Sequence, residues 1–422
     1  MQPNLDPKYP ALILKMSRTP IHHGALGVAR TLGKLGVPVY AVVEDAYTPL
    51  ARSRYLTKAF VWESCPTDPK SFVKAMSLIA EVIARPTIIV PMDDLSAVSV
   101  AENAASLARW FIVPPVPSQL PRQLADKACF HVLCADIGIP LARSVVPQSI
   151  DDVRAFTEST GFPVVVKAAE QWLPLKDTFV TKLIKTPEQL FNLCENYNYE
   201  GSQRLIIQEH IPGEDWICHG YYNSNKNINV TFTGRKLRSY PPDAGSTALG
   251  LSLDNETLRC VSEKLLKAVA YSGIIDMDWR KDERDGQYKI LDCNPRVGQN
   301  FRMFENGAGI DVVRAQHLDL SGRNIDNAAP IGGRLFRVES FYALAFLRRL
   351  PRGASKQDAS KYLPPKSREL AWWSSDDPVP FLMMSIRQFT RVLGRLLGFL
   401  RFSPLRSRLA RLCSRTTIAA NT

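Results

Sequence analysis

A chain of 422 residues is longer than one hydrophobic core normally serves, so two or three domains are expected. Its 45% apolar and 22% charged residues are those of an ordinary soluble globular protein. The formal charge of +12 would suggest a nucleic-acid partner, but from Arg387 to Thr422 there are eight arginines and no acid, so the excess belongs to the tail and no nucleic-acid partner is expected.

The eight cysteines are scattered, with no CxxC pair and no Cys/His cluster. That pattern predicts reduced thiols in a cytoplasmic protein and neither a disulfide framework nor a zinc site. Cys129 and Cys134, the closest pair, read as two core cysteines. The start, MQPNLDPKYPALILK, lacks a basic stretch before a long apolar core, so no signal peptide is expected. No run of roughly 18 apolar residues offers a membrane span.

In chain order, Ala11–Lys15 reads as a buried first strand. Leu26, Ala29, Leu32 and Leu35 then follow a helical period that Gly36 can stop. Val37–Val43 and Thr87–Val90 read as further strands, and this β-α-β rhythm predicts a parallel sheet with helices on its faces. The Gly24/Gly27 turn resembles a fragment of a dinucleotide fingerprint, but a tight strand-to-helix turn needs glycine anyway. Prolines crowd Val113–Arg122 and suggest a boundary. A helix carrying Asp126 and Lys127 should begin near Leu124. Phe162–Ala168 and Leu205–Gln208 should be strands, the first ending in Lys167. Gly273–Trp279 and Tyr288–Asp292 flank the turn signal Asp285-Gly286 and predict an antiparallel hairpin.

That hairpin carries the chemistry. Side chains alternate along a strand, so Asp276 and Asp278 share one face, as do Asp292 and Asn294. Pairing the arms could gather Asp278, Asp292 and Asn294, a set of hard oxygen ligands suited to magnesium. Cys293 points the other way and reads as core. Lys167 follows three valines, and a cation at the end of a buried strand needs an anionic partner.

Asp126-Lys127, PVVVK ending in Lys167, QEHIPGED (208–215), and Asp278-Trp279 with LDCNPR (291–296) occur in this order. Together they resemble an ATP-grasp domain, and more closely the carboxylate–amine ligases of that superfamily, the D-aspartate ligase-like group. The likeness runs from the first strand to about residue 322 and extends weakly to WSSDDPVP (373–380). It implies an α/β and α+β chain. A Rossmann-like domain (1–122) would precede a two-lobed ATP-grasp domain (123–322), followed by an extension (323–422) with a basic helical tail.

The resemblance also implies ATP and Mg2+, with Mn2+ as an alternative ion. Lys127 and Lys167 would contact phosphates. Gln208, Glu209, His210 and Ile211 would form the linker that meets adenine, and Asp215 or Glu214 would take the ribose. Asp278, Asp292 and Asn294 would hold the metal, and Arg296 would neutralise the acyl phosphate and the transferred phosphate. Lys236 and Arg238 are further phosphate candidates, though a solvated basic strand would look the same. The segment after Lys167, AAEQWLPLKDTFVTKL, lacks the glycines of many ATP-grasp phosphate loops and carries the later Lys182.

The activity implied is ATP-dependent amide formation between a small carboxylate and an amine, amino acids among the candidates, through an acyl phosphate. The alternatives are an ATP-dependent carboxylase and an ATP-grasp regulatory protein that no longer turns over. In the tail, Phe389, Val392, Leu393, Leu396, Leu397 and Leu400 recur at helical spacing beside Arg387, Arg391 and Arg395. This basic amphipathic segment (387–415) predicts either docking on the protein's own body or contact with a membrane surface or partner. Pro404 should end the helix, with disordered residues beyond it.

Overall fold

The computed structural model describes residues 3–62, 66, 68–170, 181–195, 197–199, 204–241, 245–342 and 365–401, with side chains in the last helix as far as Arg391. The chain begins with β1 (Ala11–Leu14), α1 (His23–Gly33), β2 (Val39–Val43), β3 (Lys58–Val61), α2 (Pro69–Ile83), β4 (Thr87–Pro91), α3 (Asp94–Glu102), α4 (Ala104–Leu107) and β5 (Phe111–Ile112). The strands form one parallel sheet in the order β3-β2-β1-β4-β5. Every residue of β1 and β2 is buried because both faces of this sheet are covered. Ile13 and Ala41 meet Leu26, Ala29 and Leu32 of α1 on one side. Leu12, Leu14 and Val42 meet Phe72, Met76 and Ile79 of α2 on the other. The strand order reverses between β1 and β4, a topological switch point that opens a crevice at their carboxyl ends. Asp93 closes its floor, accepting from the backbone N–H of Met16 (2.8 Å) and Ser17 (2.6 Å).

Next come α5 (Leu120–Ala125) and α6 (Lys127–Ile137). The single helix expected from Leu124 is two, because Asp126 is extended and caps α6 from outside, accepting from the N–H of Ala128 and Cys129. Cys134 is core, but Cys129 is exposed on α6, which corrects the expectation for that residue. A four-stranded antiparallel sheet follows in the order β6-β9-β7-β8. It is built from β6 (Ser144–Val145), α7 (Ile150–Thr160), β7 (Val164–Ala168), β8 (Lys182–Ile184), α8 (Pro187–Cys194) and β9 (Leu205–Glu209). Val164, Val166 and Ile207 face Val153 of α7 and Leu190 of α8, which leaves Val165 and Lys167 on the opposite face.

The third sheet has seven strands in the order β14-β13-β10-β11-β12-β15-β16. Its elements are β10 (Gly213–Asn223), β11 (Ile228–Tyr240), β12 (Ser246–Ser252), α9 (Glu256–Ala268), β13 (Ser272–Asp282), β14 (Tyr288–Asn294), α10 (Val312–Leu320), β15 (Arg334–Arg337) and β16 (Ser367–Leu370). All neighbours are antiparallel except β15 and β16. On one face Met277, Trp279 and Cys293 pack with Leu258, Leu265 and Leu266 of α9. On the other, α10 lies between this sheet and the first, with Val313 and Leu318 in the same core as Ile217, Ile13 and Leu26.

The chain closes through α11 (Val379–Arg401) and the segment before it. Arg30 of α1 is fully buried and donates to the Asp377 carboxylate (3.0 Å), the Asp377 carbonyl (2.8 Å) and the Trp372 carbonyl (2.9 Å). Ser53 Oγ (2.7 Å) and the Arg54 N–H (3.0 Å) donate to the same carboxylate. The expected helix end at Pro404 and the residues after it lie outside the described residues. Among the described residues, no helix is long and apolar enough to cross a membrane.

Candidate active site

The β13–β14 hairpin sets the register Asp276↔Asn294 and Asp278↔Asp292, with Leu291 as the extra residue of a bulge. Directly opposed residues point to the same side, so the expected hairpin brings four polar groups onto one face, with Cys293 buried on the other. Like charges across a strand pair repel, and the surrounding elements supply cations. Lys236 Nζ of β11 lies 2.6 Å from Asp278, and Lys127 Nζ of α6 lies 2.7 Å from Asp292. Lys167 Nζ reaches the bulged Leu291 carbonyl at 3.5 Å. Lys127 is held there because its N–H donates to the Ala169 carbonyl at the end of β7 (3.0 Å), while Arg204 pairs with its capping neighbour Asp126.

Arg296, just past the hairpin, donates to Asp276 (2.5 Å) and lies 3.5 Å from Asp94 at the head of α3. The N–H of Val297 donates to the Pro91 carbonyl of β4 (3.2 Å), so the hairpin's end is stitched to the mouth of the switch-point crevice. His219 of β10 lies 2.9 Å from the other oxygen of Asp276. The Gly24/Gly27 spacing has a packing cause: a Cβ on either would come within 2.9 Å of Gln299 or Arg302, so α1 can lie against the loop that follows the hairpin.

Burial and charge set the electrostatics. Burial pulls Lys167 down to about 8, with Asp292 opposing and Lys127 adding to the fall. Burial also pushes Asp94 up to about 6, against the pull of Arg296. Asp278 is raised by burial, which Lys236 only partly offsets because Asp276 lies beside it. Burial would likewise raise Asp276 and Asp292, yet both lie below the ordinary range. For Asp276 the cause is His219 and Arg296; for Asp292 it is Lys127 and Lys167. Lys236 is raised despite burial, by Asp278 and Asp215.

The residues expected to meet a nucleotide run from the end of β9 into the start of β10. Gln208 donates to Ser144 Oγ (3.0 Å), and Glu209 accepts from the Arg143 N–H (3.0 Å) and Arg284 (3.1 Å). Arg280 of β13 gathers the rest. It lies 3.3 Å from His210 Nε2, donates to the Ile211 carbonyl (3.0 Å), and grips Asp215 through Nε (2.7 Å) and a terminal nitrogen (2.6 Å). Asp215 shares the face of Asp278, whereas Glu214 is turned to the opposite face and pairs with Arg235 (2.9 Å).

Two predicted residues stand apart from the cluster. Arg238 follows a bulge after Lys236, and its guanidinium lies over the Tyr342 ring at 5.3 Å. Lys182 is exposed at the start of β8, opposite Val166. Residues 171–180 of the glycine-free segment lie outside the described residues. Asp94, Asp276, His219 and Arg280 were not among the predicted site residues. Asp276 and Arg280 stand two residues either side of Asp278, and strand parity alone would have found them. A cavity of about 450 Å³ lies elsewhere, between Pro3, Ile310 and Arg323, and none of the predicted residues lines it.

Among the described residues no three His, Cys, Asp or Glu side chains cluster as a metal site. The residues predicted as ligands, Asp278, Asp292 and Asn294, are two carboxylates and an amide. Asn294 donates its Nδ2 to the Asp276 carbonyl (3.2 Å), so its Oδ1 is the atom left to accept. Such an incomplete oxygen set fits magnesium, which completes its shell with water and substrate phosphates.

No protein-family model matches the chain. It is 24% identical over 310 residues to the D-aspartate ligase of Enterococcus faecium (strain Aus0004), covering 68% of this chain and 72% of that protein. Among solved structures, it is similar to N5-carboxyaminoimidazole synthetase from Staphylococcus aureus complexed with ADP. The TM-score is 0.59 at 12% identity, over 78% of this chain and 81% of that one. It is also similar to the L-amino acid ligase of Bacillus licheniformis, with a TM-score of 0.56 at 12% identity over 77% and 75% of the two chains. The biotin carboxylase domain of Hydrogenobacter thermophilus 2-oxoglutarate carboxylase, in complex with MgADP, gives a TM-score of 0.56 at 14% identity over 76% and 71%. The chain therefore has the ATP-grasp fold, and its sequence is similar to the carboxylate–amine ligases of that superfamily.

Proposed function

We propose that the protein is an ATP-dependent ligase that joins a small carboxylate to an amine. The observation that carries this reading is the pairing of Asp278 with Asp292 under three lysines from three different elements. A carboxylate is a poor acyl donor because its leaving group would be oxide. Transfer of the γ-phosphoryl group of ATP to a carboxylate oxygen gives an acyl phosphate and ADP. The amine then attacks the acyl carbon, loses a proton and expels phosphate. Positioning and fixed positive charge carry such a reaction, with no covalent nucleophile on the protein.

In this reading Lys127, Lys167 and Lys236 hold phosphate oxygens once the nucleotide draws Lys127 from Asp292, Lys236 from Asp278 and Lys167 from the Leu291 carbonyl. Gln208 to Ile211 line the adenine, and Asp215, steadied by Arg280, takes the ribose. Asp278, Asp292 and Asn294 hold magnesium, which when bound neutralises phosphate charge. Arg296 faces the reacting carboxylate at the mouth of the crevice, and Asp94 beside it receives the proton of the amine. The retained set of Asp278, Asp292, Asn294 and Arg296 argues against a protein that only binds nucleotide. The biotin carboxylase neighbour shares a fold, which by itself carries no activity.

Thermal melting with magnesium and ATP tests the site. A ligand at a hundred times its Kd stabilises the folded state by about 2.7 kcal/mol, so a clear upward shift is expected. No shift at millimolar ATP would refute the reading. Phosphate release against pools of amino acids and amines tests turnover, and Asp292→Ala should abolish it by removing a metal ligand. Unchanged release in that variant would show the hairpin assignment to be wrong.

A further inference from the structure

Asp276 stands in one row across the seven-stranded sheet. It is opposed by Asn294 of β14 on one side and by His219 of β10 on the other, and His219 is opposed in turn by Phe232 of β11. Directly opposed residues share a face, so all four line up beside the row of Asp278 and Asp292. His219 is 1% exposed, and its ring meets Phe304 edge-on at 5.1 Å. Among the described residues nothing hydrogen-bonds its Nδ1. A buried polar atom without a partner costs stability, so a phenyl ring would serve packing better. What the imidazole adds is Nε2, 2.9 Å from Asp276 Oδ1.

The loop that carries Arg296 is shaped around that ring. Gly298 lies outside the left-handed region, so its backbone does not call for glycine. A Cβ there would nevertheless sit 2.3 Å from His219 Cε1 and 2.7 Å from Nε2. The bare position lets the loop close over the histidine. Arg296 spends Nη1 on Asp276 Oδ2 (2.5 Å) and the Val297 carbonyl (3.3 Å) and turns Nε to Asp94 (3.5 Å), which leaves Nη2 for a substrate oxygen. The last torsion of an aspartate is broad, so a carboxylate held at one oxygen swings and carries its guanidinium with it. We propose that His219 is a positioning residue: by holding Oδ1 it fixes the plane of the Asp276 carboxylate, and through it aims Arg296 at the carboxylate being activated. The role assigned to Arg296 rests on the ligase reading; the placement of its guanidinium does not.

His219→Leu keeps the bulk and removes Nε2, whereas His219→Gln carries an amide nitrogen at a similar reach. A misplacement of about 1 Å at a reacting group costs on the order of a hundredfold. In phosphate release with amino acid and amine pools, His219→Leu should therefore lose about ten- to a hundredfold in kcat and raise the KM for the acid that supports release. The KM for ATP and the melting shift given by magnesium and ATP should not change. His219→Gln should recover most of the loss, and in an Asp276→Asn background His219→Leu should cost less than about twofold more. The crystal structure of the His219→Leu protein reads the same inference without turnover: the Asp276 carboxylate should be turned and the Arg296 guanidinium displaced by about 1 Å. If that protein does not fold, His219→Asn, whose amide is too short to reach Oδ1, takes its place. Equal losses in the leucine and glutamine proteins, a lost ATP melting shift, a further loss in the Asp276→Asn background, or an unmoved guanidinium each overturn the proposal. A wild-type protein that releases no phosphate with any pool refutes the ligase reading alone, and the crystal structure then decides this one.

Discussion

Removing the Asp377 carboxylate should open the contact between the chain's last segment and its first helix. Asp377→Ala takes an acceptor from Arg30, Ser53 Oγ and the Arg54 N–H at once. The neutral donors account for the smaller part, because each unsatisfied buried donor costs about 1–3 kcal/mol and the hydroxyl can rotate. The cation decides the magnitude. Arg30 has no exposed surface, and although two backbone carbonyls still accept from it, neither neutralises its charge. Breaking a buried ion pair from one side costs about 3–5 kcal/mol. A chain with three sheets need not unfold in one step, so the measurement should be local: amide hydrogen exchange in peptides spanning residues 23–33 and 365–380. If opening there becomes easier by about 3–5 kcal/mol, exchange speeds up at least about a hundredfold. Arg30→Met combined with Asp377→Ala should cost less than the sum of the two single changes, since no bare charge remains. Exchange that rises less than about tenfold, or equally over the whole chain, would refute the reasoning.

Arg296→Lys keeps one charge but loses the fork that spans Asp276 and Asp94. Phosphate release should drop by about 10²–10³ while magnesium-ATP still raises the melting temperature. At Gly298 a Cβ would sit 2.3 Å from His219 Cε1 and 2.8 Å from Asp276 Cγ. Gly298→Ala should therefore destabilise the protein by about 1–3 kcal/mol and impair turnover, read by melting and by phosphate release. His23 is buried among Phe336, Phe341 and Trp372, and burial pulls it down to about 4. The unfolded chain then binds more protons than the folded one between about pH 6.5 and 4, so stability should fall as pH falls through that window. His23→Leu should flatten the fall, measured as denaturant midpoint against pH; an unchanged slope would show that the imidazole is not the cause.

What was legible in the sequence was local. The parallel sheet followed from fully apolar strands alternating with helical periods, and the acidic hairpin followed from parity and a turn signal. Lys167 stood out because three valines precede it, but in place of the expected anionic partner its contact on the hairpin is the neutral Leu291 carbonyl, with Asp292 acting on it only through its field. The rest depended on contacts that no spacing encodes. The break between α5 and α6 comes from Asp126 choosing to cap instead of joining a helix. Arg238 left the lysine's neighbourhood because of a bulge that shifts the register by one residue. Asp94 enters the site from the head of α3, about two hundred residues from Arg296, and the bond from Val297 N–H to the Pro91 carbonyl helps bring them together. In α11 the periodicity announced an amphipathic helix, but not that Phe381 and Met384 pack into the core of the first sheet while Val379, Leu382, Ile386 and Phe389 stay exposed.

The seven-stranded sheet also constrains when the protein can be finished. The first sheet needs nothing beyond Phe111–Ile112, so it can form early as the chain leaves the ribosome. The sheet that carries the hairpin is completed at one edge by β16, which pairs with β15 only after Leu370 has been made. Throughout that interval Arg30 lacks the segment that both buries and pairs it, since Asp377 arrives 347 positions later. The guanidinium therefore stays open to water until the last part of the chain emerges, and a chain cut short before Trp372 leaves that side of α1 uncovered. Early termination should produce a protein that chaperones retain, whatever the state of its catalytic residues.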